Sequence, residues 1–188
     1  SEVEDILTSL HCDIILLISK HRIGGRNLKD PRISKLAKNL INYSVNIQSG
    51  ENLLIEVFDA GHELASELVN ECYKAGGNPF VSLKTRKLMK DLIMNASEEH
   101  MLAISAFEAD RMKKMQAYIG VRGAINSSEW SDIPDDKMGI YMKNWSKPVH
   151  SDIRVPHTKW CVMRYPTPSM AQMAGMSNEK FEDFFFDV

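Results

Sequence analysis

Leu53-Leu54-Ile55-Glu56-Val57-Phe58 and Pro79-Phe80-Val81-Ser82-Leu83 are two short apolar runs. Between them Leu64, Ala65, Leu68, Val69 and Cys72 recur on one face of a helix. Ala75-Gly76-Gly77 ends that helix, glycine supplying the left-handed residue that a helix C-terminus favours. A strand, a helix and a second strand make a βαβ unit, whose strands lie parallel with the helix crossing one face.

The same alternation continues outward in both directions. Upstream, Asp30 reads as an N-cap with Pro31 at the first helical position, where a missing N–H costs nothing. Ile33, Leu36, Ala37, Leu40 and Ile41 then form one apolar stripe, and Ser49-Gly50 turns the chain into the first strand. Downstream, helices are predicted over Arg86–Ala96 and Ser97–Met115, the second capped by Ser97 with Glu98 and Glu99 in its first turn. Ala117–Val121 reads as a strand, Asp135–Trp145 as a helix after Ile133-Pro134, and Lys159–Arg164 as a last strand. Short helices near Ser169–Ala174 and Asn178–Phe186 close the chain. At the other end, Ser1 and Glu4 suggest a capping box for a helix through Leu10, and Asp13–Ile18 reads as a strand buried on both faces. His21–Lys29, with Gly24-Gly25 and three basic residues, reads as a linker. The pattern predicts an α/β fold with a mostly parallel sheet of about five strands and helices on both faces. Residues 1–29 form an extension or linker, and residues 30–188 one α/β domain.

Composition narrows the function classes. The 188 residues carry 23 basic and 25 acidic side chains, a net charge of −2, which gives no basic footprint for nucleic acid. Cys12, Cys72 and Cys161 are far apart with no CxxC pair, as in a reduced cytoplasmic protein. The longest apolar run, Ile14 to Ile18, is five residues, and Glu2, Glu4 and Asp5 are unlike the basic start of a signal peptide. A soluble, intracellular protein without a membrane partner is expected.

The candidate chemistry is sparse. His62-Glu63 opens like a zinc-protease helix, but Ser66 stands where the second histidine belongs, so the pair reads as an exposed helix start. His150, Asp152 and His157 form the one tight cluster of possible metal ligands, yet Pro148 and Pro156 flank it, and a solvated loop is the expected reading. Gly24-Gly25 and Gly76-Gly77 lie in no phosphate-binding motif, and no GxSxG elbow occurs. Buried structural thiols and core-filling methionines (Met89, Met94, Met101, Met112, Met115) complete this reading. Two features stay open between structure and site. One is the proline-stiffened turn Tyr165–Ser169, which leaves a strand at the sheet edge where α/β folds bind ligands. The other is the aromatic end Phe181, Phe184, Phe185 and Phe186, which suits an interface.

Arg164 to Ser177, followed by Glu182-Asp183-Phe184, resembles the end of the N-terminal domain of the thermophilic metalloaminopeptidases (aminopeptidases T, S and PepS). Asp30-Pro31-Arg32-Ile33, Leu36-Ala37, Leu40, Asn42-Tyr43-Ser44 and Gly50-Glu51 are similar to that domain's opening. Ala75-Gly76-Gly77-Asn78-Pro79 and Ser131-Asp132-Ile133-Pro134 resemble turns between the two ends. The likeness runs in order from Asp30 to Val188 and leaves out residues 1–29.

The resemblance implies a cytoplasmic enzyme that removes N-terminal residues from peptides with two divalent ions, zinc or cobalt. It further implies a two-domain homodimer whose ligands, two Glu, two His and one Asp, lie in a C-terminal catalytic domain. No catalytic, cofactor-binding or metal-ligating residue carries over to this chain, and the His150-Ser151-Asp152 echo of the family's HxD pair has different surroundings. The expected role is a non-metal-binding domain that packs on the catalytic domain, shapes its cleft and admits short peptides. This chain alone would be inactive. The alternative is a flavodoxin-like small-ligand module.

Overall fold

In the computed structural model, which describes residues 30–187, four strands form one sheet in the order β2-β1-β3-β4, every neighbouring pair parallel. They are β1 (Asn52–Asp59), β2 (Asn78–Lys84), β3 (Ala117–Gly123) and β4 (Lys159–Arg164). Around them lie helices α1 (Pro31–Asn39), α2 (His62–Lys74), α3 (Arg86–Asn95), α4 (Glu98–Lys113), α5 (Asp135–Tyr141), α6 (Pro168–Met173) and α7 (Asn178–Asp187). The α/β class and parallel arrangement are as predicted, with four described strands where about five were expected. The expected strand Asp13–Ile18, the helix before it and the linker through Lys29 fall outside the described residues. Among those residues no helix is long and apolar enough to cross a membrane.

Register sorts the strand residues onto two faces. Leu53, Ile55 and Val57 share one face with Ala117, Ile119 and Val121, all fully buried beneath α1 and α2. Ile33 and Ala37 from α1, Leu40 and Ile41 from the π-helical turn Leu40–Ser44 that continues it, and Leu64, Leu68 and Cys72 from α2 complete this core. Leu54, Glu56 and Phe58 point to the opposite face, in register with Tyr118, Gly120 and Arg122 on β3. There Leu54 and Tyr118 pack with Met112 of α4 and Val149. Helices therefore cover both faces.

Local signals explain the boundaries. Ser97 Oγ accepts from the N–H of His100 at 3.1 Å and Thr85 Oγ1 from that of Leu88 at 3.2 Å, each capping a helix. Gly76, at φ +80°, ends α2 in the left-handed region. Thr167 Oγ1 donates to the carbonyl of Ala124 at 2.9 Å, so the proline turn ties the exits of β4 and β3 together.

One expectation is corrected. Pro148 and Pro156 were read as flanking an irregular loop, but α5 continues through a π-helical segment, Met142–Arg154, and a final turn, Val155–His157. Pro148 lacks an N–H, and in an ordinary α-helix its ring would meet the carbonyl four residues back; a widened turn relieves that clash. Tyr141, Trp145, Val149 and Ile153 recur every fourth residue and pack inward.

Candidate functional site

The carboxyl ends of the strands meet where β1 and β3 lie side by side while their connections leave in opposite directions, the place where open α/β sheets form crevices. A cleft of about 360 Å³ opens there. Phe58, Arg122 and Val162 come to it from the strands, Arg86 from the start of α3, and Trp145, His150 and Arg154 from the α5 continuation.

Beneath it sits a buried polar cluster built by register. Glu56, 1% exposed, accepts at Oε1 from the Tyr118 hydroxyl at 2.7 Å and from Arg122 Nη2 at 3.1 Å. Its Oε2 lies 2.8 Å from Lys84 Nζ. Arg122 Nη2 also donates to the Tyr118 oxygen at 2.7 Å. Gly120 stands opposite Glu56, and a Cβ there would come within 3.0 Å of the Tyr118 ring and 3.1 Å of its hydroxyl. The missing side chain lets that ring lie across the strand and reach the carboxylate. Lys84 Nζ lies 4.6 Å from the Trp145 ring centre, and the Arg122 guanidinium 4.3 Å from that of Phe58.

The electrostatics follow from these contacts. Burial alone pushes the Glu56 carboxyl up, but the Lys84 ammonium and Arg122 guanidinium outweigh it and hold the group down at about 2. Burial raises the Tyr118 hydroxyl well above its ordinary range, reinforced by the Glu56 charge. Burial also lowers His150 to about 4, helped by the cations of Arg154, Arg122 and Lys84 and opposed by Glu56. His150 is therefore neutral at ordinary pH, and its Nδ1 accepts from Arg154 Nε at 3.1 Å, which leaves its proton on Nε2. Glu56 stays ionised and spoken for, so it is a poor proton carrier near neutrality.

Arg86 is clamped by its backbone. Its N–H donates to Asp59 Oδ1 and its carbonyl accepts from Trp130 Nε1, each at 2.9 Å. Asp59 adopts φ +60° at the end of β1 to make that bond. The Arg86 guanidinium lies 5.3 Å from the Trp130 ring centre.

The candidates read from sequence are dispersed. His62 and Glu63 open α2, both exposed. Asp152 pairs with Lys147 Nζ at 2.9 Å and His157 is exposed at the end of its turn, so neither joins His150 in the cleft. Among the described residues no three His, Cys, Asp or Glu side chains converge to hold a metal ion, and the donors present do not fit a dinuclear centre. Cys72 is buried, which pushes its thiol up to about 11. Of the aromatic end, Phe181 is buried, Phe186 packs on the core with the Arg32 guanidinium 4.8 Å from its ring centre, and Phe184 stays exposed. Sequence reading missed the cluster, although Glu56, a charge inside an apolar strand run, was its visible signal.

A family model described as thermophilic metalloprotease (M29) matches residues 29–188. Among solved structures, wild-type AmpT from Thermus thermophilus matches at 19% identity with a TM-score of 0.65, covering 84% of this chain and 42% of AmpT. The chain thus spans less than half the length of that relative, and the likeness shows a shared fold. A protein described as a LacI-family transcription regulation repressor from Corynebacterium glutamicum matches at 13% identity and a TM-score of 0.37, over 80% of this chain and 51% of that one, too weak to argue from. No curated protein matches. The flavodoxin-like module finds no support in these matches.

Proposed function

The chain belongs to the thermophilic metalloprotease family (M29), and from that premise we propose that residues 30–188 are the N-terminal, non-metal-binding domain of a metal-dependent aminopeptidase. The parent enzyme removes N-terminal residues from peptides. Its two divalent ions, zinc or cobalt, sit in a C-terminal catalytic domain of the same protein. This domain packs on that one, shapes its cleft and admits short peptides, within a cytoplasmic homodimer. Residues 1–29 are an extension or linker.

The observation that carries this reading is the family match over residues 29–188, in a chain that covers 42% of AmpT. The chemistry on hand supports it. Metal-assisted hydrolysis needs a fixed ligand set and a proton-transfer group within reach of the water. Among the described residues no ligand set converges, Glu56 is held by hydrogen bonds from Tyr118 and Arg122 and an ion pair with Lys84, and His150 has one nitrogen committed to Arg154. Leu83 (62% exposed) and Phe184 (56% exposed) offer apolar surface of the kind that packs against a neighbour.

The test is release of chromophore from aminoacyl chromogenic substrates by the pure chain with zinc or cobalt supplied. No turnover above the blank is expected, and activity is expected once the chain is joined to a family catalytic domain. Chelator-sensitive turnover by the chain alone overturns the reading.

A further inference from the structure

Cations outnumber carboxylates at the carboxyl edge of the sheet. Arg86, Arg122 and Arg154 line the cleft and Lys84 lies below it, whereas the carboxylates near this group are Glu56, Glu108, which lies 3.6 Å from Lys84 Nζ, and Asp59, whose Oδ1 accepts from the Arg86 N–H at 2.9 Å. Glu108 is shared in addition with Arg111. A second hollow of about 140 Å³ shares Arg86 and Arg122 and adds Arg164, the register partner of Arg122.

Two donors in this wall are unused. Arg122 Nη1 and Arg154 Nη1 are both buried and, among the described residues, neither has a hydrogen-bond partner. A charged N–H taken out of water without an acceptor bears its full desolvation cost, and native folds rarely leave one so. The other groups nearby cannot serve. Glu56 Oε1 is taken by Tyr118 and Arg122 Nη2, and Oε2 by Lys84. His150 Nδ1 is taken by Arg154 Nε, which leaves its Nε2–H as one more donor in the cleft lining.

The remaining wall is aromatic. Tyr141 stacks on Trp145 with ring centres 5.1 Å apart and meets Trp130 edge-on at 5.9 Å. Donors on one side and aromatic faces on the other suit a ligand with a charged end and an apolar body, and the volume falls within the range of small-molecule pockets. Guanidinium groups pair best with planar or multi-oxygen anions.

We propose that this cleft binds a small ligand carrying an oxyanion, carboxylate or phosphate, on an apolar body, with Arg122 Nη1 and Arg154 Nη1 donating to the anion and the body resting on the Trp130–Tyr141–Trp145 wall. The assignment stands on the cleft itself and is independent of the peptidase reading.

Tryptophan fluorescence of the 188-residue chain reports on it, because Trp130 and Trp145 stand in the wall. The probes are N-acetylphenylalanine, its amide, phenyl phosphate and inorganic phosphate. A saturable change is expected with N-acetylphenylalanine or phenyl phosphate, the tighter of the two identifying the anion. Affinity for the neutral amide and for bare phosphate should be weaker by at least about tenfold. Arg154→Gln should weaken the preferred probe by about tenfold or more while unfolding stays cooperative. Arg86→Gln, outside the buried cluster, should weaken it by about threefold and serves if Arg154→Gln fails to fold. The proposal is overturned if no probe saturates below about 10 mM, if the amide binds as well as the acid, or if a folded Arg154→Gln chain binds like the parent.

Discussion

The two faces of one sheet are held by different physics. On the α1–α2 face, alternate residues of β1 and β3 are aliphatic and fully buried, and cohesion comes from removing apolar surface from water, at roughly 25 cal/mol per Å². On the other face the same strands carry Glu56, Tyr118 and Arg122, with Lys84 joining from β2. There each charged group is tolerable only because the others are present. The first face tolerates loss in proportion to the volume removed, whereas the second fails when a single partner goes.

The largest expected effect tests that asymmetry. Glu56→Ala leaves Lys84 and Arg122 buried without their carboxylate and should cost about 3–5 kcal/mol in urea unfolding. Replacing Glu56, Lys84 and Arg122 together by Leu, Met and Met should recover most of the loss. An equal cost for the triple and single variants would break the comparison. On the apolar face, Leu68→Ala should cost about 3 kcal/mol from lost transfer energy plus a cavity. That cost should not vary with pH, unlike the Glu56 loss.

Of the two faces, acidification probes the polar one. Unfolded His150 takes up a proton near 6.5 but the folded residue only near 4, so stability should fall as pH drops through that window. The loss is about 3 kcal/mol, set by burial and by Arg154, Arg122 and Lys84 against Glu56. Glu56 adds a second fall between about 4.5 and 2, because the folded carboxylate stays ionised where the unfolded one is protonated. Thermal melts across pH should show both limbs, and His150→Asn should erase the upper one. The smallest effect is steric: Gly120→Ala, pressing on the Tyr118 ring, should lower stability by about 1–2 kcal/mol.

The apolar face was legible in the sequence and the polar one was not, for a reason of range. The stripes at Leu64, Leu68 and Cys72, the strand runs and the Ser97 cap are local signals, and the elements they mark lie within a few residues of their predicted bounds. The cluster joins residues 62 and 66 positions apart through register, which local spacing does not report. Its trace was the lone charge of Glu56 inside an apolar run. The helix was predicted to end at Trp145 and runs on to His157; the recurrence of Tyr141, Trp145, Val149 and Ile153 at every fourth position was its unread signal, and Pro148 and Pro156 pointed to a loop instead. His150 was therefore assigned to a solvated loop, where the fold instead packs it edge-on against Trp145 and Tyr118.

The central claim is that these residues wall a reaction centre whose metal ligands lie elsewhere in the parent protein. Metal stoichiometry tests it most directly: the folded chain is dialysed against zinc or cobalt, then buffer, and its metal content measured. The account predicts no metal above the dialysate. Two chelator-removable equivalents per chain would contradict it.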